Sequence, residues 1–114
     1  MRCVAQEHVM GCGVACVAAA ARIRYVDALR RFNVKNAGTK GYTLAEMRGA
    51  LAQLGLRYAF ARMGPERKAL MRKVGTIVFI KPSDRYPAGH YLLRVASGWM
   101  DPWINLPSVA PARA

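Results

Sequence analysis

The sequence predicts an α+β domain, with N-terminal helices packed on a mostly antiparallel sheet. Three observations carry that prediction. The run Cys12–Arg22 is Ala-rich and apolar on every face, which suits a helix buried in the middle of a small domain. Thr43 and Glu46 stand at the spacing of a capping box, ahead of Leu44, Met47, Leu51 and Leu54 at helical intervals. From Gly75 onward the chain turns to β-branched and apolar stretches separated by turn residues. Helices first and strands after is the order of a segregated α+β architecture.

Taken in order, Cys12 sits in the first turn of the first helix. Asp27–Phe32 continues as a short amphipathic helix with Val26, Leu29 and Phe32 facing inward. Asn36, Gly38 and Gly41 mark the loop that ends it. Thr43–Gln53 is the clearest surface helix, stopped by Gly55. Leu56–Phe60 has strand composition, and Pro65–Arg72 reads as a short helix with proline in its first turn. Gly75–Lys81 is a continuously apolar strand, expected at the centre of the sheet. Pro82–Pro87 is a turn-rich loop. His90–Val95 and Trp99–Asp101 form a hairpin around Ala96, Ser97 and Gly98. The tail after Pro107 is expected to be loose.

At 114 residues the chain has room for one core, and residues 1–114 are expected to form a single domain. Eighteen Lys and Arg against six Asp and Glu leave a net charge of +12, which favours encounter with an anionic partner. The cations are scattered, without the aromatic interleaving of a strand-binding groove, so nucleic acid is not the favoured partner. As a recognition helix, Thr43–Gln53 would offer mainly Arg48 and Gln53, too little for base readout. Three cysteines cannot all pair within the chain, which points to a reducing compartment, the cytoplasm. Cys12, Cys16 and His8 lack the spacing of a zinc site, and neither metal nor cofactor is expected. The apolar run from Val9 to Ala21 is too short to span a bilayer, and Gln6, Glu7 and His8 interrupt a secretion signal.

The most informative segment is Gln6-Glu7-His8-Val9-Met10-Gly11-Cys12-Gly13-Val14-Ala15-Cys16, taken with Gly89-His90-Tyr91 and Trp99-Met100-Asp101-Pro102. These are the parts that nucleophilic acyl transfer requires. Cysteine attacks as thiolate, and a helix N-terminus beside a histidine favours that form. Cys12 has the helix start, and Gly11 and Gly13 beside it leave room for a substrate carbonyl. Gln6 can add its amide NH2 to the backbone N–H of Cys12 in binding an oxyanion, a kind of donor worth about 3–4 kcal/mol. His90 pairs with Cys12 and protonates the leaving amine; His8, the competing base, has no obvious orienting carboxylate. Asp101 fixes the His90 tautomer. If the hairpin turns at Ala96-Ser97, Asp101 lies opposite Leu92 and diagonal to His90; if it turns at Ser97-Gly98, Asn105 lies opposite His90 as the reserve orienting residue. Cys16, one turn below Cys12, is expected to be buried, and Cys3 inert. Tyr42, Tyr91, Trp99 and Trp103 are candidates to line a groove.

These residues resemble the papain-like cysteine peptidase domains that remove double-glycine leaders from bacteriocins. The likeness runs from Gln6 to Pro102. It rests on Gln6, on Cys12-Gly13-Val14-Ala15-Cys16, on the helix between Gly41 and Gly55, on His90-Tyr91-Leu92-Leu93 and on Asp101-Pro102. It implies a stand-alone papain-like fold with Cys12 as nucleophile, His90 and Asp101 completing the triad, and Gln6 in the oxyanion hole. A stand-alone domain of this kind is expected to hydrolyse a peptide or isopeptide bond in a polypeptide with a Gly-rich cleavage site, or to act as an acyl transferase, in a bacterial or phage-infected cell, and the +12 charge adds acidic polypeptides to the expected substrates. Gly11 stands where that family has Asp, and the His90-to-Asp101 interval is shorter. The competing expectation is a catalytically weak domain of the same fold that holds an acidic protein or nucleic acid on its basic surface.

Overall fold

The computed structural model describes residues 3–59, 65–82, 84 and 89–102. Asn105, Trp103, the tail after Pro107, Phe60 and most of the Pro82–Pro87 loop lie outside the described residues. The described chain forms three helices, α1 (Cys12–Ala21), α2 (Tyr25–Leu29) and α3 (Leu44–Gln53), followed by a sheet of β1 (Ile77–Ile80), β2 (His90–Val95) and β3 (Gly98–Met100). Short 3-10 turns occupy Val34–Gly38 and Pro65–Arg72.

Helix α1 is the centre of the molecule and packs against α2, α3 and β2. Cys12 through Ala19 are all buried, so a sequence apolar on every face has found a site that covers every face. Arg22 ends the helix in the left-handed conformation, its N–H reaching back to the carbonyls of Ala18 and Ala19. The start is different in kind: Gly11 is the N-cap, and no side chain bonds the first turn's N–H groups. Helix α3 carries the anticipated capping box in full, Thr43 Oγ1 accepting from Glu46 N and Glu46 Oε1 accepting from Thr43 N. Its inward face is Met47, Ala50 and Leu51.

The sheet is antiparallel in the order β1-β2-β3. The strand expected at the centre is therefore at an edge. Among the described residues, Ile77–Ile80 pairs only with β2, and Phe79 is 44% exposed. The central place belongs to β2, buried along nearly its whole length between its two neighbours and the helices. Two further expectations are corrected. Leu56–Ala59 alternates between partly buried and exposed residues without joining a ladder, Tyr58 instead donating its hydroxyl to Gly75 O at 2.7 Å. Helix α2 begins earlier than expected and buries Tyr25, Ala28 and Leu29, leaving Val26 at 42% exposure and Phe32 packed beyond its end.

The N-terminal segment is stitched to both halves. Gln6 N donates to Pro102 O at 2.6 Å, and Met10 N donates to Ala37 O at 2.8 Å. Residues far apart in sequence thus frame the start of α1.

Candidate active site

Residues drawn from α1, the start of β2 and the end of β3 meet at one point. The hairpin turns at Ala96-Ser97, pairing Val95 with Gly98 and Leu93 with Met100. One step further, Leu92 faces Asp101, so Asp101 sits diagonal to His90. The two side chains close that diagonal: His90 Nε2 and Asp101 Oδ1 are 2.7 Å apart, in a site where His90 is 2% exposed. His90 shares its cleft with Cys12, which together with Asp101 acts to raise its pKa. With Nε2 taken by the carboxylate, Nδ1 is the other ring nitrogen through which His90 can exchange a proton.

Electrostatics favour a charged imidazole here. Burial pulls the His90 pKa down, yet the hydrogen bond with Asp101 and the negative charges of Asp101 and Cys12 outweigh it and leave it pushed up to about 9. Cys16, beneath Cys12, is fully buried and its thiol is pushed well up, first by desolvation and then by the charges of Cys12 and Asp101. It is a packing residue. Cys3 is exposed and free.

The approach to His90 depends on Gly89. Its φ is +83°, and a Cβ there would lie 2.3 Å from Phe79 Cζ and 2.9 Å from Ile80 O. Only glycine fits both the backbone turn and the contact with β1. Cys12 and His90 open onto a cleft of about 40 Å³ whose walls include Lys40, Gly41, Tyr42, Phe79 and Tyr91. Tyr42 and Tyr91 are therefore at the cleft, as the sequence suggested, and Tyr91 is fixed by donating its hydroxyl to Tyr42 O at 2.8 Å. Trp99 is elsewhere, its ring beneath the Arg94 guanidinium. Lys40 and Phe79 give no sequence signal, because neither lies near a motif. A larger depression of about 960 Å³, between the N-terminal segment, α1 and α2, lacks Cys12, His90 and Asp101.

The residues of the motif around Cys12 have surroundings that the sequence did not show. Gln6 is buried at 1% exposure, and its Nε2 donates both protons to backbone carbonyls, His8 O and Val9 O, each at 2.8 Å. It braces the loop ahead of Cys12 instead of presenting a free N–H to a carbonyl under attack. Gly11 leaves room for Tyr25, whose hydroxyl would lie 2.0 Å from a Cβ at that position. A Cβ at Gly13 would lie 3.0 Å from Met47 Sδ and 3.5 Å from Tyr91 Cδ2, so this glycine serves close packing of α1 on α3 and β2. His8, half-buried, places Nδ1 3.0 Å from Tyr25 Oη rather than near the Cys12 thiol.

Among the described residues, no group of three His, Cys, Asp or Glu side chains could hold a metal ion, and no helix is long and apolar enough to cross a membrane. Comparisons with protein-family models, with curated proteins and with solved structures find no match for this chain.

Proposed function

We propose that the protein is a thiol hydrolase of papain-like arrangement, a cysteine peptidase in which Cys12, His90 and Asp101 cleave a peptide or isopeptide bond. The observation that carries this reading is the buried His90, hydrogen-bonded to Asp101 and sharing a cleft with the Cys12 thiol at an uncapped helix start. A purely structural histidine has no need of that sequence of partners.

The Cys12 thiolate attacks the carbonyl carbon, forming the C–S bond while the carbonyl electrons move onto oxygen. The backbone N–H of Cys12, at the unfilled positive end of α1, receives that oxyanion. Gln6, its amide donating to the His8 and Val9 carbonyls, holds the loop that leads to this N–H. Collapse breaks the C–N bond as His90 Nδ1 gives its proton to the departing amine. Water then gives a proton to His90 and attacks the thioester, releasing the acid and returning the thiolate. Asp101 holds the imidazole in the required tautomer and steadies its charge throughout. The +12 charge of the chain suits acidic polypeptides as substrates.

The test is iodoacetamide labelling across pH 4.5 to 9 with the labelled cysteine mapped by mass spectrometry, for wild type and His90→Ala. Selective labelling of Cys12 at acidic pH, lost in the variant, is the expected result. Labelling of all three cysteines only above about pH 8, the ordinary thiol range, would overturn the mechanism.

A further inference from the structure

The glycine before the nucleophile is not required by its own backbone. Gly11 has φ −91° and ψ 13°, which other residues adopt without left-handed strain. What excludes a side chain there is Tyr25 of α2: a Cβ at position 11 would lie 2.0 Å from its hydroxyl oxygen and 3.1 Å from Cζ. Tyr25 is 3% exposed and its phenol is pushed up to about 12, chiefly by burial, so it is a protonated donor at working pH. The hydroxyl stands 3.0 Å from His8 Nδ1, with which it shares a hydrogen bond. The same loop is held from its other side by Gln6, through the carbonyls of His8 and Val9, and by Gly11 N donating to His8 O.

These contacts hold the loop that leads into the Gly11–Cys12 peptide, whose carbonyl accepts Ala15 N at 3.0 Å. The N–H of that peptide is the one proposed to meet the oxyanion, and it has no side-chain cap. We infer that Tyr25 is a positioning residue for the oxyanion hole: its hydroxyl occupies the space of the missing residue-11 side chain, bonds the loop at His8, and thereby helps to set the direction of the Cys12 N–H. This inference rests on the thiol-hydrolase reading and adds to it a residue from outside the triad and its sequence motif.

Two reactions of the same thiol separate positioning from mere support. Acylation of Cys12 by p-nitrophenyl acetate passes through a tetrahedral oxyanion, whereas alkylation by iodoacetamide is a displacement at carbon that forms none. Tyr25→Phe keeps the ring and removes only the oxygen. It should slow acylation about tenfold or more while leaving alkylation within about twofold, since misdirecting one donor costs only the oxyanion step. Gly11→Ala should also lose acylation, and Gly11→Ala/Tyr25→Phe should recover part of it, because the colliding atom is gone. Cys12→Ala supplies the blank for both reagents. Equal change in both rates for Tyr25→Phe, or no change in acylation, overturns the positioning role; the Tyr25→Phe pair of rates decides this even where Gly11→Ala does not fold. A wild-type Cys12 that takes neither reagent at neutral pH overturns the hydrolase reading itself, a distinguishable failure.

Discussion

At the scale of single residues, the His90–Asp101 pair makes a claim about stability as well as chemistry. The folded His90 pKa of about 9 lies above the ordinary 6.5, so the folded state holds that proton more tightly than the unfolded chain does. Its stabilisation is complete below about pH 6.5 and is lost as pH rises through about 9. Urea unfolding between pH 6.5 and 9.5 should therefore show a decline on the order of 2–3 kcal/mol for wild type. Asp101→Asn should flatten that decline, and parallel curves for the two proteins would mean that another group causes it. The pair was legible in the sequence because strand pairing has a fixed period: once the turn falls at Ala96-Ser97, the diagonal follows. The role of Gln6 was not, because its acceptors are the carbonyls of His8 and Val9, and backbone carbonyls carry no residue-type signal. The Tyr25–Gly11 contact was equally invisible, since it depends on how α2 lies against the loop before α1.

Among the elements, what local chemistry dictates was readable and what neighbours decide was not. The capping box of α3 and the all-apolar α1 are properties of a few consecutive residues, and both stand where the pattern put them. The place of β1 in the sheet is decided by what lies beside it, and a run of Ile and Val reads the same at an edge as at the centre. Leu56–Ala59 has the alternation of a strand but no described partner to pair with, so its pattern remains extended chain. The link between β1 and the site is Gly89, where the edge strand's Phe79 fills the space a side chain would take. Gly89→Ala adds left-handed strain of about 1–2 kcal/mol to a steric collision, and both fall on the residue that leads into His90. Its Tm should fall, and acidic-pH labelling of Cys12 should fall with it. Adding Phe79→Ala removes the ring contact but neither the positive φ nor the close Ile80 O, so recovery should be partial. Full recovery would show that backbone conformation at this position is unimportant.

For the molecule as a whole, the dominant quantity is the unbalanced charge of +12. The described ion pairs do little to offset it: Asp27 is shared by Arg24 and Arg30 on the surface, where water screens such pairs, and Asp101 is taken up by His90. The radius of gyration is 12.8 Å, comparable with the screening length of about 10 Å at 0.1 M salt, so at low salt cations across the molecule repel one another. The same field that strains the fold draws anions toward the cleft, with Lys40 among its walls. Salt should therefore act with opposite sign on stability and on capture. Between about 20 and 500 mM NaCl the Tm should rise, while the ratio of Cys12 labelling rates by iodoacetate and iodoacetamide should fall several-fold, because only the anionic reagent feels the field. A rising Tm with an unchanged ratio would place the charge away from the cleft and remove the electrostatic argument for acidic substrates, leaving the chemistry of Cys12 and His90 untouched.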